Sequence, residues 1–211
     1  MKKTLLVGAL VLPLVALGSY FGFRQPPVAE QGFRSGTFDP PREAPAFSLD
    51  GSNGEKLSLR DHLGKVVIVN FGYTFCQEVC PVTLARLSEV HKKLASAAQK
   101  LGSAARDVQV IYVTVDPERD SPERLREYLA VFNPSFLGAT GSPDELAAVR
   151  KAYGVVAEQV ASANPALGYA VNHSSYIYLV DRQGKLRGLV PFGTPAEDIV
   201  HDVELLLKMR P

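Results

Sequence analysis

The stretch Lys65-Val66-Val67-Ile68-Val69-Asn70-Phe71-Gly72-Tyr73-Thr74-Phe75-Cys76-Gln77-Glu78-Val79-Cys80-Pro81 decides how this chain is read. Val66 to Val69 is fully apolar, and Lys65 to Phe71 has the pattern of a central strand buried on both faces. The second half holds the only two cysteines of the chain, four positions apart. From Pro81 to Leu101, apolar residues at Leu84, Leu87, Val90, Leu94, Ala98 and Leu101 form a helical stripe. Pro81 suits its first turn, where a missing N–H costs nothing. A thiol pair between a strand and a helix N-terminus sits where the helix dipole and free N–H groups favour thiolate. A disulfide closing so short a loop adds little stability, so metal or redox work is the favoured reading over a structural staple.

Working outward, the elements alternate. Phe47 to Leu49 and Lys56 to Leu59 read as short strands around a turn at Gly51-Ser52-Asn53-Gly54. Val108 to Val115 is a second buried strand. Ser121-Pro122 opens a helix to about Phe132, and Ser142-Pro143-Asp144-Glu145 opens another with a capping box. Tyr176 to Val180 is a third apolar strand, turned by Asp181-Arg182-Gln183-Gly184 into Leu186 to Val190. Thr194-Pro195-Ala196-Glu197 caps a last helix ending near Lys208. The pattern predicts an α/β domain of the thioredoxin-like kind: a central mixed, mainly parallel sheet with helices on both faces. Fold alone does not assign function.

The composition is that of a globular protein: 211 residues, 46% hydrophobic, 21% charged, with a net charge of +1. No broad basic field exists to hold nucleic acid. At the N-terminus Lys2 and Lys3 precede an uncharged stretch from Thr4 to Phe23, ended by Arg24, long enough to cross a bilayer as a helix. Ala16-Leu17-Gly18 offers a possible signal-peptidase site, but the apolar run continues past it, which favours an uncleaved anchor. No cysteine lies near residue 18 to carry a lipid. The two lysines hold the start of the chain inside, so the bulk is expected on the exported side, periplasmic or extracellular, of a cell membrane crossed once. That compartment tends to oxidise thiols, and a Cys76–Cys80 disulfide is expected there in the absence of metal. Residues 25–45, rich in Pro, Gly and Arg, read as a tether, which leaves 1–24 as anchor or signal and 46–211 as the working domain.

Two further segments bear on the cysteines. Asp116-Pro117-Glu118-Arg119-Asp120 follows the second central strand at its C-terminal end, where open α/β sheets place their sites. Val171-Asn172-His173-Ser174-Ser175 enters the third strand, and in a thioredoxin-like layout this brings His173 near Cys76 and Cys80. Two thiolates and one imidazole suit Cu(I) well and Cu(II) passably, whereas zinc wants a fourth ligand. Asp116 is open to two readings: a turn former ahead of Pro117, or a group that orients the cysteine loop or His173 without touching the metal. His91 reads as a half-buried residue at the edge of its helix stripe, and His62 and His201 as solvated residues.

Taken in order, Cys76-x-x-x-Cys80-Pro81 after Phe71-Gly72-Tyr73-Thr74, the block from Asp116 to Asp120, and His173-Ser174 before Ile177-Tyr178-Leu179-Val180-Asp181 resemble the Sco/SenC family of membrane-anchored copper-binding proteins. That family helps assemble the binuclear copper centre of cytochrome c oxidase. The resemblance covers roughly residues 40 to 207 and implies Cys76, Cys80 and His173 as ligands of one copper ion per chain, as Cu(I) or Cu(II). It implies the copper-site subunit of the oxidase as partner, with another copper carrier or a thiol reductant as further partners. Gln77 stands where the family usually has Pro, and Glu78 where it often has Asp. The stretch from Glu158 to Ala170 has no readable pattern. The competing reading is a thiol–disulfide oxidoreductase or thiol peroxidase using the same cysteines. Against it, thioredoxin-type enzymes space their cysteines by two residues and place a proline before the third strand, where this chain has His173-Ser174-Ser175. Peroxide-reducing relatives need a Thr three residues before the reactive cysteine, and Thr74 is two before Cys76.

Overall fold

The computed structural model describes residues 32–97 and 107–209. The expected anchor at 1–24 and the end of the first long helix lie outside the described residues. No described helix is long and apolar enough to cross a membrane.

Ten strands and four α-helices make up the described fold: β1 (Gly36–Glu43), β2 (Ser48–Gly51), β3 (Lys56–Ser58), β4 (Val66–Gly72), α1 (Val79–Ser96), β5 (Val108–Thr114), α2 (Pro122–Ala130), β6 (Leu137–Thr140), α3 (Pro143–Tyr153), β7 (Ala157–Ala161), β8 (Tyr169–His173), β9 (Ile177–Val180), β10 (Lys185–Val190) and α4 (Ala196–Lys208). Eight strands form one sheet in the order β1-β10-β9-β4-β5-β6-β2-β3, and β7 and β8 form a separate hairpin. All seven residues of β4 are buried, as its continuous apolar run requires of a strand covered on both faces. Val66 and Ile68 point to a core shared with α1, α2 and α4. Val67, Val69 and Phe71 point to the other core, shared with α3 and the β7–β8 hairpin.

The expectation of a mainly parallel sheet needs correction. Only β4–β5 and β5–β6 are parallel among the described residues; the other five ladders of the sheet are antiparallel. The reason lies in the connections. Crossovers through α1 and α2 permit parallel pairing, whereas short turns such as Asp181–Gly184 can join only antiparallel neighbours.

The tether reading of 25–45 is also corrected in part, since β1 occupies Gly36–Glu43 and pairs with β10. Pro40 and Pro41 hid it. A proline cannot donate to a ladder but is tolerated on an edge strand, and the register slips between Thr37 and Arg42 across both. The helix caps at Ser121 and Ser142 form as expected, the latter as a full capping box. Thr194 does not cap α4: Pro195 is the N-cap residue, and the Thr194 hydroxyl donates to the Pro191 carbonyl instead.

Register explains where the site forms. β4 pairs with β9 so that Asn70 faces Ile177, and with β5 so that Gly72 faces Thr114. The chain leaving β4 therefore lies between the segment entering β9 and the segment leaving β5. Residues far apart in sequence, 73–80, 116–120 and 173–176, meet at one end of the sheet.

Candidate metal centre

Cys76 lies half-buried in the loop after β4, and Cys80 is 2% exposed in the first turn of α1. The N-cap residue of α1, Glu78, makes no side-chain cap. The Cys76 sulfur takes that role: the Cys80 backbone N–H donates to Cys76 Sγ at 3.4 Å. The Cys76 thiol is pushed down to about 4, chiefly by the hydrogen bond that the Cys80 thiol donates to it. His173 and the N–H groups of Cys80 and Glu78 add to this, against the opposing effect of burial. Cys80 moves the other way, far above the ordinary thiol range, because its S–H donates a hydrogen bond to Cys76, it is buried, and it faces the Cys76 charge. In the reduced pair these shifts favour a Cys76 thiolate beside a Cys80 thiol.

Gly72 makes room for this arrangement. A Cβ at that position would stand 2.9 Å from Cys80 Sγ and collide with the Tyr112 hydroxyl. The Tyr112 ring is fully buried beneath the loop and donates its hydroxyl proton to the Tyr73 carbonyl at 3.3 Å.

The third donor arrives from β8. His173 Nε2 lies 3.3 Å from Cys80 Sγ, and the two sulfurs and one ring nitrogen all fall within 4.8 Å of one another. His173 Nδ1 lies 3.0 Å from the Ser174 carbonyl, which can only accept, so Nδ1 donates there and Nε2 is the ring nitrogen turned toward the sulfurs. Tyr73 braces the same segment, its hydroxyl accepting the Val171 N–H at 3.2 Å and its ring standing edge-on to His173. Among the described residues this is the one group of three Cys, His, Asp or Glu donors close enough to hold a metal ion. Cys76 and His173 line a cleft of about 630 Å³ between the cysteine loop and residues 162–175, and Cys80 sits behind them.

The 116–120 block supports the loop in a way the sequence did not reveal. Asp120 is fully buried; it accepts the Thr74 N–H at 3.0 Å, the Thr74 hydroxyl at 2.7 Å and the Thr114 hydroxyl at 2.6 Å. Burial pushes its carboxyl up, opposed by these same hydrogen bonds. Asp116 touches neither the cysteines nor His173 through its side chain. Its carboxylate accepts from Arg119 Nε at 2.6 Å and from the Tyr169 hydroxyl at 2.7 Å. Asp120 was hidden because an acidic residue in a turn carries no mark of burial; only the β4–β5 register places it under Thr74.

The other histidines lie elsewhere. His91 is half-buried, beside the Asn133 amide and edge-on to Phe136, as expected. His62 is not a solvated loop residue. It ends a 3₁₀ turn, its ring nitrogens are shut off from water, and burial, followed by nearby Lys65, lowers its pKa. His201 partners Asp202, a fully buried carboxylate that also accepts the N–H groups of Arg34 and Ser35 and so ties the start of the domain to α4.

Fold and site together define a thioredoxin-like α/β protein with a Cys₂His donor set at the end of its sheet. The SCO1/SenC family model matches residues 36–208, and the chain belongs to that family. It is 32% identical over 139 residues to an SCO2-like protein of Rickettsia felis, covering 66% of this chain and 64% of that one. It is 37% identical over 139 residues to the mitochondrial protein SCO1 of Saccharomyces cerevisiae, covering 66% of this chain and 45% of that one. The chain thus spans somewhat under two thirds, and under half, of the length of these two relatives. Among solved structures it is similar to Bradyrhizobium japonicum ScoI with copper bound, at a TM-score of 0.66 and 32% identity, covering 78% of this chain and 99% of that one.

Proposed function

We propose that this protein is a copper-binding assembly factor. It takes one copper ion as cargo on Cys76, Cys80 and His173 and delivers it to the binuclear copper site of a cytochrome c oxidase subunit. The observation that carries this reading is the convergence of two sulfurs and an imidazole nitrogen within 4.8 Å, with no fourth His, Cys, Asp or Glu donor among the described residues. Two soft thiolates and an imidazole suit copper, and a low coordination number lets an incoming thiolate enter before a resident donor leaves. Copper in the Bradyrhizobium relative supports it. The N-terminal pattern, Lys2 and Lys3 before an uncharged stretch to Phe23, supports a single membrane anchor with the domain on the exported side.

A second reading has an observation of its own. A Cys76 thiolate held near pKa 4 beside a protonated Cys80 is the arrangement of a dithiol reductant. Cys76 Sγ would attack one sulfur of a disulfide in the acceptor and form a mixed disulfide. The acceptor's freed thiolate takes up a proton, Cys80 loses its own, and Cys80 then displaces the acceptor's second sulfur. This leaves the acceptor reduced and Cys76–Cys80 oxidised. The two readings separate in one experiment. The reduced protein is loaded with copper and mixed with the metal-free, reduced copper-site domain of an oxidase subunit, and in a parallel arm the metal-free reduced protein is mixed with the oxidised domain. Transfer of copper with both partners still reduced is the expected result. Absence of transfer, together with reduction of the oxidised acceptor, would favour the reductant.

A further inference from the structure

The hairpin that brings His173 to the sulfurs is not part of the main sheet. Something must hold it there, and alternation along β8 shows where to look. Tyr169, Val171 and His173 occupy one face of the strand, two residues apart. Val171 is buried in the core beside Phe71 and Tyr73, and His173 meets the sulfurs. Tyr169 meets Arg119, which lies at the crossing of every element involved. Arg119 Nε donates to Asp116 at the end of β5, and Nη1 donates to the Tyr169 carbonyl at 3.0 Å. Its guanidinium carbon lies 3.6 Å from the Tyr169 ring centroid, 4.8 Å from that of Phe75 and 5.7 Å from that of Tyr73. Phe75 adjoins Cys76. The Tyr169 hydroxyl closes the cluster by donating to Asp116 and by lying 3.1 Å from Glu118 Oε2.

We propose that Arg119 is a positioning residue for His173: it clamps the β7–β8 hairpin onto the cysteine loop and so decides whether the imidazole joins the two sulfurs. The proposal rests on the three-ligand reading of the site. The chemistry is specific to arginine. A planar cation can lie flat on one ring, stand near two others and still donate in its own plane to a carboxylate and a carbonyl. A lysine ammonium, a compact point charge, cannot do all of these together. Releasing the clamp would remove one ligand while leaving both sulfurs in place, because these are held by β4, α1 and Asp120.

The test uses the full chain in detergent, reduced, as wild type, Arg119→Gln, Arg119→Lys, Tyr169→Phe and His173→Ala, each first shown to be folded by its melting curve. Two properties are measured: backbone amide exchange in the metal-free protein, and binding of Cu(II) and Cu(I) separately. Arg119→Gln is expected to speed exchange in 157–173 while β4 and β5 keep their protection. It should weaken Cu(II) binding by about 10- to 100-fold, the usual effect of removing a group that orients a ligand. It should also reduce the nitrogen coupling in the Cu(II) resonance spectrum, with Cu(I) affinity little changed. Arg119→Lys should not restore the coupling, and Tyr169→Phe, which keeps the stacked ring, should show the same changes at smaller size. Unchanged exchange in 157–173 in Arg119→Gln would overturn the proposal, as would wild-type nitrogen coupling. If His173→Ala left the Cu(II) spectrum of the wild type intact, the ligand reading would fall instead, and the exchange measurement alone would decide whether Arg119 clamps the hairpin.

Discussion

The cysteine loop and the β7–β8 hairpin contribute two donors and one donor to the same site, but they are held by different means. The loop grows out of a strand buried along its whole length, is pinned by the buried Asp120 carboxylate and packs its second sulfur against Tyr112 and Gly72. The hairpin sits off the sheet. Apart from the buried Val171 and the partly buried Ala157 and Tyr169, it is held by contacts that are polar, aromatic and partly exposed. A site built this way has a fixed half and a docked half. The fixed half sets which metal is accepted, since two thiolates select for soft ions. The docked half lies off the main sheet, which suits the proposed release of copper.

The largest effect expected is on the fixed half. Cys76→Ser or Cys80→Ser should lower Cu(I) affinity by more than about 1000-fold, ~4 kcal/mol, measured by competition with a chelator of known affinity. Loss no greater than that of His173→Ala would erase the distinction between the halves. Next in size is the support beneath the loop. Asp120→Ala leaves the Thr74 N–H and two hydroxyls without their acceptor, at about 1–3 kcal/mol for each buried donor left unsatisfied. A fall of several kcal/mol in urea denaturation is expected, and Asp116→Ala, which loosens the hairpin side, should fall by less. Gly72→Ala should cost about 1–3 kcal/mol through overpacking against Tyr112 and Cys80.

The pH behaviour separates the two cysteines. A thiol with its pKa depressed to about 4 is already ionised at pH 7, whereas one raised far above the usual range is not. Alkylation of Cys76 by iodoacetamide should therefore keep most of its rate from pH 8 down to about pH 5 and fall away near 4. Cys80 should resist alkylation until the protein is unfolded. Because both sulfurs must be thiolates to hold copper, binding at pH 7 should release about one proton from the pair, from Cys80, and not two. Calorimetry in two buffers of different ionisation enthalpy measures that number.

The same contrast explains what could be read in the sequence. β4, α1, β5, β9 and the caps at Ser121 and Ser142 carry strong local patterns, because buried strands and capped helices are written in adjacent residues. The cysteines and His173 were legible from residue type and order. The β7–β8 hairpin was not: Ala157–Ala161 and Tyr169–His173 are short and half-exposed, and they are separated by Asn164-Pro165 and Gly168. β6 was too short to show, and β1 was masked by its two prolines. Asp120, Arg119 and Tyr169 act through register, which local pattern does not contain. The direction of β9, antiparallel to β4, is likewise a property of pairing and not of either segment.

The central claim is that two firmly held sulfurs and one docked imidazole bind a single copper ion. X-ray absorption at the copper edge tests it most directly, on the reduced protein loaded with one equivalent of Cu(II) or Cu(I), as wild type and as His173→Ala. The account predicts two sulfurs and one nitrogen in the wild type, near the ~2.3 and ~2.0 Å usual for thiolate and imidazole ligands. In His173→Ala the nitrogen should be lost and both sulfurs kept. A copper shell without two sulfurs in the wild type, or an imidazole signal undiminished in His173→Ala, would contradict it.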